Sequence, residues 1–190
     1  MDNGLGDGTG IKQVKKEPMK KFKIEIKWAI IFVVMVLLWM LGERLSGLHS
    51  THIDKHPTYT MLIAIPAILV YVFALLDKKK NFYNGRMTFL QAFSTGISIT
   101  IIVTLLSPLL QFLTFTIITP EYFTNAINHS IATNQATKEE AEAFFNLKNY
   151  IKISFLNTPM TGVMTTLMVS AVVAIISLFQ EERRRGLLKK

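Results

Sequence analysis

The chain contains no cysteine, so neither a disulfide framework nor a thiolate metal site is open to it. Charge is scarce as well. Only 18% of the 190 residues are Asp, Glu, Lys or Arg, half are apolar, and the mean hydropathy is +0.34. The common catalytic signatures are missing: there is no G-x-S-x-G elbow, no H-E-x-x-H zinc motif and no pair of aspartates inside an apolar run. The expectation is a protein that is not an enzyme and needs no cofactor. Nucleic acid is excluded as a partner on different grounds. The net charge is +8, but the cations border apolar runs and do not alternate with aromatic or base-reading residues. About 27 polar residues precede the first apolar run and no small-x-small site follows it, so no cleavable signal peptide is expected. Internal repeats, a mark of many transporters, are also absent.

What is present is apolar sequence gathered into four blocks with the charges swept to their edges, the pattern of helices dissolved in a bilayer. The fold class expected is all-α, a polytopic membrane protein with four transmembrane helices over about 26–47, 57–76, 89–118 and 158–180. Residues 1–21 read as a disordered basic tail, 22–180 as the membrane domain and 181–190 as a second basic tail. In the first span the uncharged run Trp28–Gly42 has fifteen residues, short of the usual ~20. Lys23 and Lys27 can snorkel, and Leu41, Leu45 and Leu48 carry the helix past Glu43 toward a stop at Gly47. In the second, Pro57 suits a first helical position and Pro66 predicts a kink in mid-helix. That span ends at Asp77-Lys78-Lys79-Lys80, and Asn84-Gly85 marks a turn.

The third run, Phe89–Ile118, has thirty residues without a charge. At ~1.5 Å per residue it exceeds a ~30 Å hydrocarbon core, so it must tilt or bend, with Pro108 as the bend. Gly96, Thr100, Thr104, Ser107, Gln111 and Thr114 fall on one face, a stripe of small and hydrogen-bonding residues that should meet other helices. Thr158, Gly162, Thr166, Ser170 and Ala174 make a matching ridge on the fourth span. Between the two, 119–157 is expected as an amphipathic helical segment lying on the membrane surface. Thr119-Pro120-Glu121 opens one piece with Phe123, Ile127 and Ile131 along an edge. Thr137-x-x-Glu140 is a capping box opening another, with Phe144, Leu147 and Ile151 on one side, and Pro159 sets the fourth span apart.

Sixteen Lys and Arg lie in the N-terminal tail, the 77–88 loop and the C-terminal tail, against five in the 43–57 connector and the 119–152 segment. The positive-inside rule then places both termini in the cytoplasm and the connector outside, together with all four histidines, His49, His52, His56 and His129. The basic segments are expected to meet anionic lipid head groups at roughly 1 kcal/mol per cation.

Several stretches are similar to one family: WMLGERLSGLHSTHIDKHPTYT, AIPAILVYVFALLDKKKNFYNGRMTFLQAFSTG, LLSPLLQ, ITPEYF and EEAEAFFNLKNY. Over roughly residues 22–180 the chain resembles a widespread family of uncharacterised bacterial four-span membrane proteins, classed only as a domain of unknown function. The resemblance implies a four-helix protein of a bacterial inner membrane. It implies no activity, substrate or catalytic residue.

The sharpest candidate for chemistry is the connector Gly42–Thr60, where Glu43, His49, His52, Asp54 and His56 crowd together. Imidazole and carboxylate are ligands that zinc and related divalent metals accept. The competing reading is a polar loop that caps two helix ends. Glu43, at a helix end in the headgroup region, needs a partner. Arg44 points about 100° away on the helix, so His56 or Tyr59 is expected instead. Gln111 with Ser107 and Pro108 suggests a broken-helix substrate site, though packing suits such residues better, and the buried parts of the spans are expected to carry no charge. The function this favours is a non-catalytic scaffold or accessory subunit, as a homo-oligomer or with a membrane partner. The alternatives are a small oligomeric transporter or channel and, more weakly, a metal site or enzyme at the outer face.

Overall fold

The computed structural model describes residues 17–186, with side chains from residue 22. Most of the tail expected over 1–21, and the last four residues, lie outside the described region. Within it there is no strand, and four helical stretches are long and apolar enough to cross a membrane: Phe22–Leu45, Ile53–Asn81, Phe89–Ile118 and Leu147–Arg184. The first belongs to α1 (Glu17–Leu45). The second is a composite rod in which α2 (His56–Tyr59), flanked by the 3-10 turns Ile53–Lys55 and Thr60–Ile63, runs into α3 (Ala64–Asn81). Pro57 stands in the first turn of α2, as expected. Pro66, expected to kink this span, stands just after the point where its form changes from 3-10 to α. It is the third residue of α3, within a first turn that needs no amide from it, and the chain before it tightens to 3-10 form.

A capping box on Thr88 opens α4 (Phe89–Leu113), the Gln91 amide donating to the Thr88 hydroxyl and the Thr88 amide to the Gln91 carboxamide. Pro108 sits inside this helix without ending it. Its missing N–H would leave the Thr104 carbonyl bare, and the Ser107 hydroxyl donates to that carbonyl at 2.9 Å. The run ends in a π-turn, Thr114–Ile118, closed by Thr119 N–H on the Thr114 carbonyl. Next come α5 (Tyr122–Ala132), α6 (Lys138–Phe144) and α7 (Leu147–Arg184).

The segment between the third and fourth spans differs from its expected form. On α5 the buried residues are Tyr122, Ala126 and Ser130, one position off the Phe123–Ile127–Ile131 edge, because Tyr122 turns inward against the connector. The Thr137/Glu140 capping box forms, and the Thr137 amide and hydroxyl hold the Glu140 carboxyl below the usual range. Yet α6 stops at Phe144. Asn146 then caps a new helix by accepting from the Asn149 amide at 2.9 Å. Leu147 and Ile151 therefore belong to α7, which continues unbroken through Pro159 for 38 residues, so the fourth span is not set off at 158.

Antiparallel α4 and α7 form the centre, and their contact is reciprocal. A methyl group at Gly96 would lie 2.5 Å from the Thr166 methyl, and one at Gly162 would lie 2.4 Å from the Thr100 methyl. Each helix thus presents Gly-x-x-x-Thr, and each threonine fills the other helix's glycine notch, the close approach that small residues permit in a bilayer. Tyr71 of α3 joins at this level, its hydroxyl 2.7 Å from the Thr100 hydroxyl. Ile99, Val103, Val169 and Val173 complete the apolar core with Ala29 and Ala74.

The bundle has two unlike ends. At the basic end Glu25 and Lys78 form a buried pair at 2.8 Å. Asp77 is held there by Lys27 and by the Trp28 indole at 2.7 Å, and Lys79 donates to the Gln180 carboxamide. At the other end lie the Gly42–Thr60 connector, α5 and α6. Charge is nevertheless buried at the two ends of the bundle: Glu25, Lys78, Lys79 and Glu43 are all buried, each beside a partner that offsets the cost of leaving water.

Candidate functional site

Glu43 lies in the last turn of α1, one turn after Trp39, whose indole N–H donates to Glu43 Oε1 at 2.6 Å. Beyond Leu45 the chain reverses at Gly47, which adopts φ +79°. A side chain there would be strained, and its first carbon would come within 2.6 Å of the Thr51 hydroxyl. The Gly47 carbonyl accepts from the Ser50 and His52 amides, closing a tight turn. This turn brings His49 back over the helix end, with Nε2 at 3.1 Å from Glu43 Oε2. His56, the first residue of α2, arrives from the far end of the connector with Nε2 at 3.5 Å from the same oxygen. Thr60 also hydrogen-bonds the carboxylate.

The fifth contributor is α5. The Tyr122 ring stands against both imidazoles, at 5.1 Å from His49 and 5.3 Å from His56, while Asn125 donates to the His49 carbonyl at 2.9 Å. Burial comes first among the influences on Tyr122, followed by Tyr150 and Glu43. Together they hold its phenol far above the usual range, so it is a neutral wall throughout physiological pH. Arg44 turns away, as the helical geometry requires, to the Ile118 carbonyl and to Glu121 at 3.9 Å.

Of the five connector residues singled out in the sequence, Glu43, His49 and His56 converge, and His52 and Asp54 do not. The latter two are exposed, and His52 Nδ1 sits 3.3 Å from the Ser46 carbonyl. One ligand atom from each converging residue lies within 4.8 Å of the other two. Zinc bound tetrahedrally at ~2.0–2.1 Å requires ligand atoms about 3.3 Å apart, and the separations of 3.1 and 3.5 Å from Glu43 Oε2 bracket that value. Glu43 and His49 are 3% exposed and His56 is 17%. Trp39 occupies the other carboxylate oxygen, so Oε2 alone faces the imidazoles.

Beside the trio is a cavity of about 190 Å³, lined by His49, His56, Gln111, Thr114, Tyr122 and Tyr150 among others. The Thr114 hydroxyl and His49 Nδ1 are buried without a hydrogen-bond partner. The polar stripe of α4 thus divides into three uses. Gly96 and Thr100 pack against Gly162 and Thr166, Thr104 and Ser107 turn their hydroxyls onto their own backbone, and Gln111 and Thr114 reach the cavity. Ser170, on the facing ridge, is buried with its hydroxyl unpartnered. Sequence reasoning did not find Trp39, Tyr122 or Thr114 as parts of the site. The i, i+4 spacing of Trp39 and Glu43 was the one available signal; nothing local shows that Tyr122 crosses to the connector.

No curated protein and no solved structure matches the chain. With four apolar helices, a basic end and a histidine-bearing end, the chain is an all-α polytopic membrane protein, and it belongs to the family described as Protein of unknown function (DUF4199), which matches residues 27–178.

Proposed function

We propose that the chain is a non-catalytic accessory protein of a bacterial cytoplasmic membrane, both termini cytoplasmic, that holds a divalent transition metal at its outer end through Glu43, His49 and His56. The observation that carries this reading is the convergence of three ligand atoms within 4.8 Å of one another, both imidazoles standing 3.1–3.5 Å from one oxygen of a buried carboxylate. Two imidazoles and one carboxylate suit zinc and its neighbours, whereas calcium and magnesium favour all-oxygen shells. An ion there ties the end of α1 to the connector, and α5 is already seated on the connector through Tyr122 and Asn125. Metal occupancy would then set the rigidity of the outer face, where a membrane partner or second copy would dock. The glycine–threonine interlock along the centre of the bundle supports binding over passage through it. The imbalance of sixteen Lys and Arg against five in the sequence supports contact of the basic segments with anionic head groups and the cytoplasm.

The test is a titration of purified, chelator-treated protein in detergent with zinc and cobalt, helicity being followed by circular dichroism. One ion per chain is expected, with binding abolished by His49→Ala plus His56→Ala and by Glu43→Gln, and retained by His52→Ala. Binding that survives loss of both His49 and His56 would overturn the assignment.

A further inference from the structure

We infer that the metal position keeps an exchangeable fourth ligand, a small carboxylate or comparable oxyanion that enters from the cavity beside the trio; this rests on the metal reading above. Three protein ligands leave one tetrahedral position free, the arrangement of sites that exchange ligands, unlike the closed four-residue shells of structural zinc. Both imidazoles of the trio line the cavity, so the open position faces it. Its volume, about 190 Å³, equals on the order of six waters. That accommodates an ion of a few heavy atoms.

Charge decides the class. A divalent ion with one carboxylate and two neutral imidazoles carries one net positive charge, which an anion neutralises. Among the described residues no lysine or arginine lines the cavity, so the anion is held through the metal. The wall offers hydrogen-bonding groups, one of which the protein leaves unused. The Thr114 hydroxyl is 1% exposed and unpartnered, the half-buried Gln111 carboxamide supplies an N–H donor, and the Tyr122 and Tyr150 hydroxyls meet at 3.2 Å nearby. A carboxylate bound through one oxygen would present its second oxygen to these donors. The step is a ligand exchange: water leaves the metal, the anion's oxygen takes its place, and no proton or electron is transferred.

Cobalt-loaded protein in detergent tests this, because its visible bands report the coordination shell. Acetate should shift the bands saturably. Thr114→Val, which keeps shape and removes the hydroxyl, should weaken acetate by about 10- to 100-fold, the worth of a hydrogen bond to a charged group, a larger change than any in cobalt affinity. Gln111→Leu should act in the same direction. Cobalt bands that ignore acetate overturn the fourth-ligand inference alone, as does an acetate response identical in wild type, Thr114→Val and Gln111→Leu. Absence of cobalt bands in the wild type removes the metal reading and this inference with it.

Discussion

Trp39 and Glu43 show how one contact sets the chemistry of the site. The indole N–H engages Oε1, and Oε2 is left to face His49 and His56. Outer partners of a metal-binding carboxylate fix its orientation, and removing them lowers affinity by roughly 10–100-fold. Trp39→Phe should therefore weaken zinc by that factor, measured in competition with a coloured chelator, while the apolar contacts of the ring persist. An unchanged affinity would mean that the Trp39 bond serves only to offset burial of the charge. Glu43 was legible as a residue that needs a partner, and the 100° argument correctly set Arg44 aside. Of the two partners anticipated, His56 reaches the carboxylate, whereas Tyr59 is exposed and is not among the groups that bond it. His49 was visible only as one of several connector histidines, because its approach depends on the left-handed turn at Gly47. No spacing rule distinguishes it from His52, whose side chain the same turn leaves exposed.

At the scale of elements, the bundle depends on two glycine notches. Gly96→Ala would place a methyl 2.5 Å from the Thr166 methyl, and neither residue can move away, since each is buried between helices. Overpacking of this kind costs about 1–3 kcal/mol. Gly162→Ala should behave alike. Gly42→Ala is the control: a methyl there meets nothing within 4 Å, so no loss of stability is expected. Thermal unfolding in micelles gives the ranking, and pairing Gly96→Ala with Thr166→Ala should recover part of the loss, a non-additivity that marks direct contact. Equal melting of the Gly42 and Gly96 variants would contradict the interlock. The small-residue faces of both helices were legible because spacings of three and four survive any packing partner. The unbroken α7 was not legible. Pro159 and the local capping signals argue for a boundary, but a bilayer penalises bare backbone so strongly that a helix runs on through a proline. The buried edge of α5 was missed for a related reason, since its choice is made by the connector it covers.

For the molecule as a whole, the decisive asymmetry is between its ends. Cations that read as membrane-flanking charges are in part structural: Lys78 is buried against Glu25, and Lys79 reaches Gln180 of α7. Breaking such a buried pair leaves one charge uncompensated, at about 3–5 kcal/mol, so these lysines hold three spans together at one end as well as biasing orientation. The sixteen-to-five imbalance was legible by counting; the internal pairing was not, because Glu25 and Lys78 are separated by 53 residues. Orientation itself can be read directly, and the absence of cysteine makes the experiment clean. Single cysteines at Lys80, beside the basic end, and at Gln135, in the turn between α5 and α6, both replace exposed side chains that make no structural pair among the described residues. In intact cells treated with an impermeant maleimide, Gln135→Cys should label and Lys80→Cys should label only after the membrane is opened. Losing one of sixteen cations leaves the charge bias intact. The reverse pattern would place the Glu43 site in the cytoplasm, where it would meet a different metal supply. Equal labelling of both positions in intact cells would break the four-crossing arrangement, since the two loops stand at opposite ends of the same bundle.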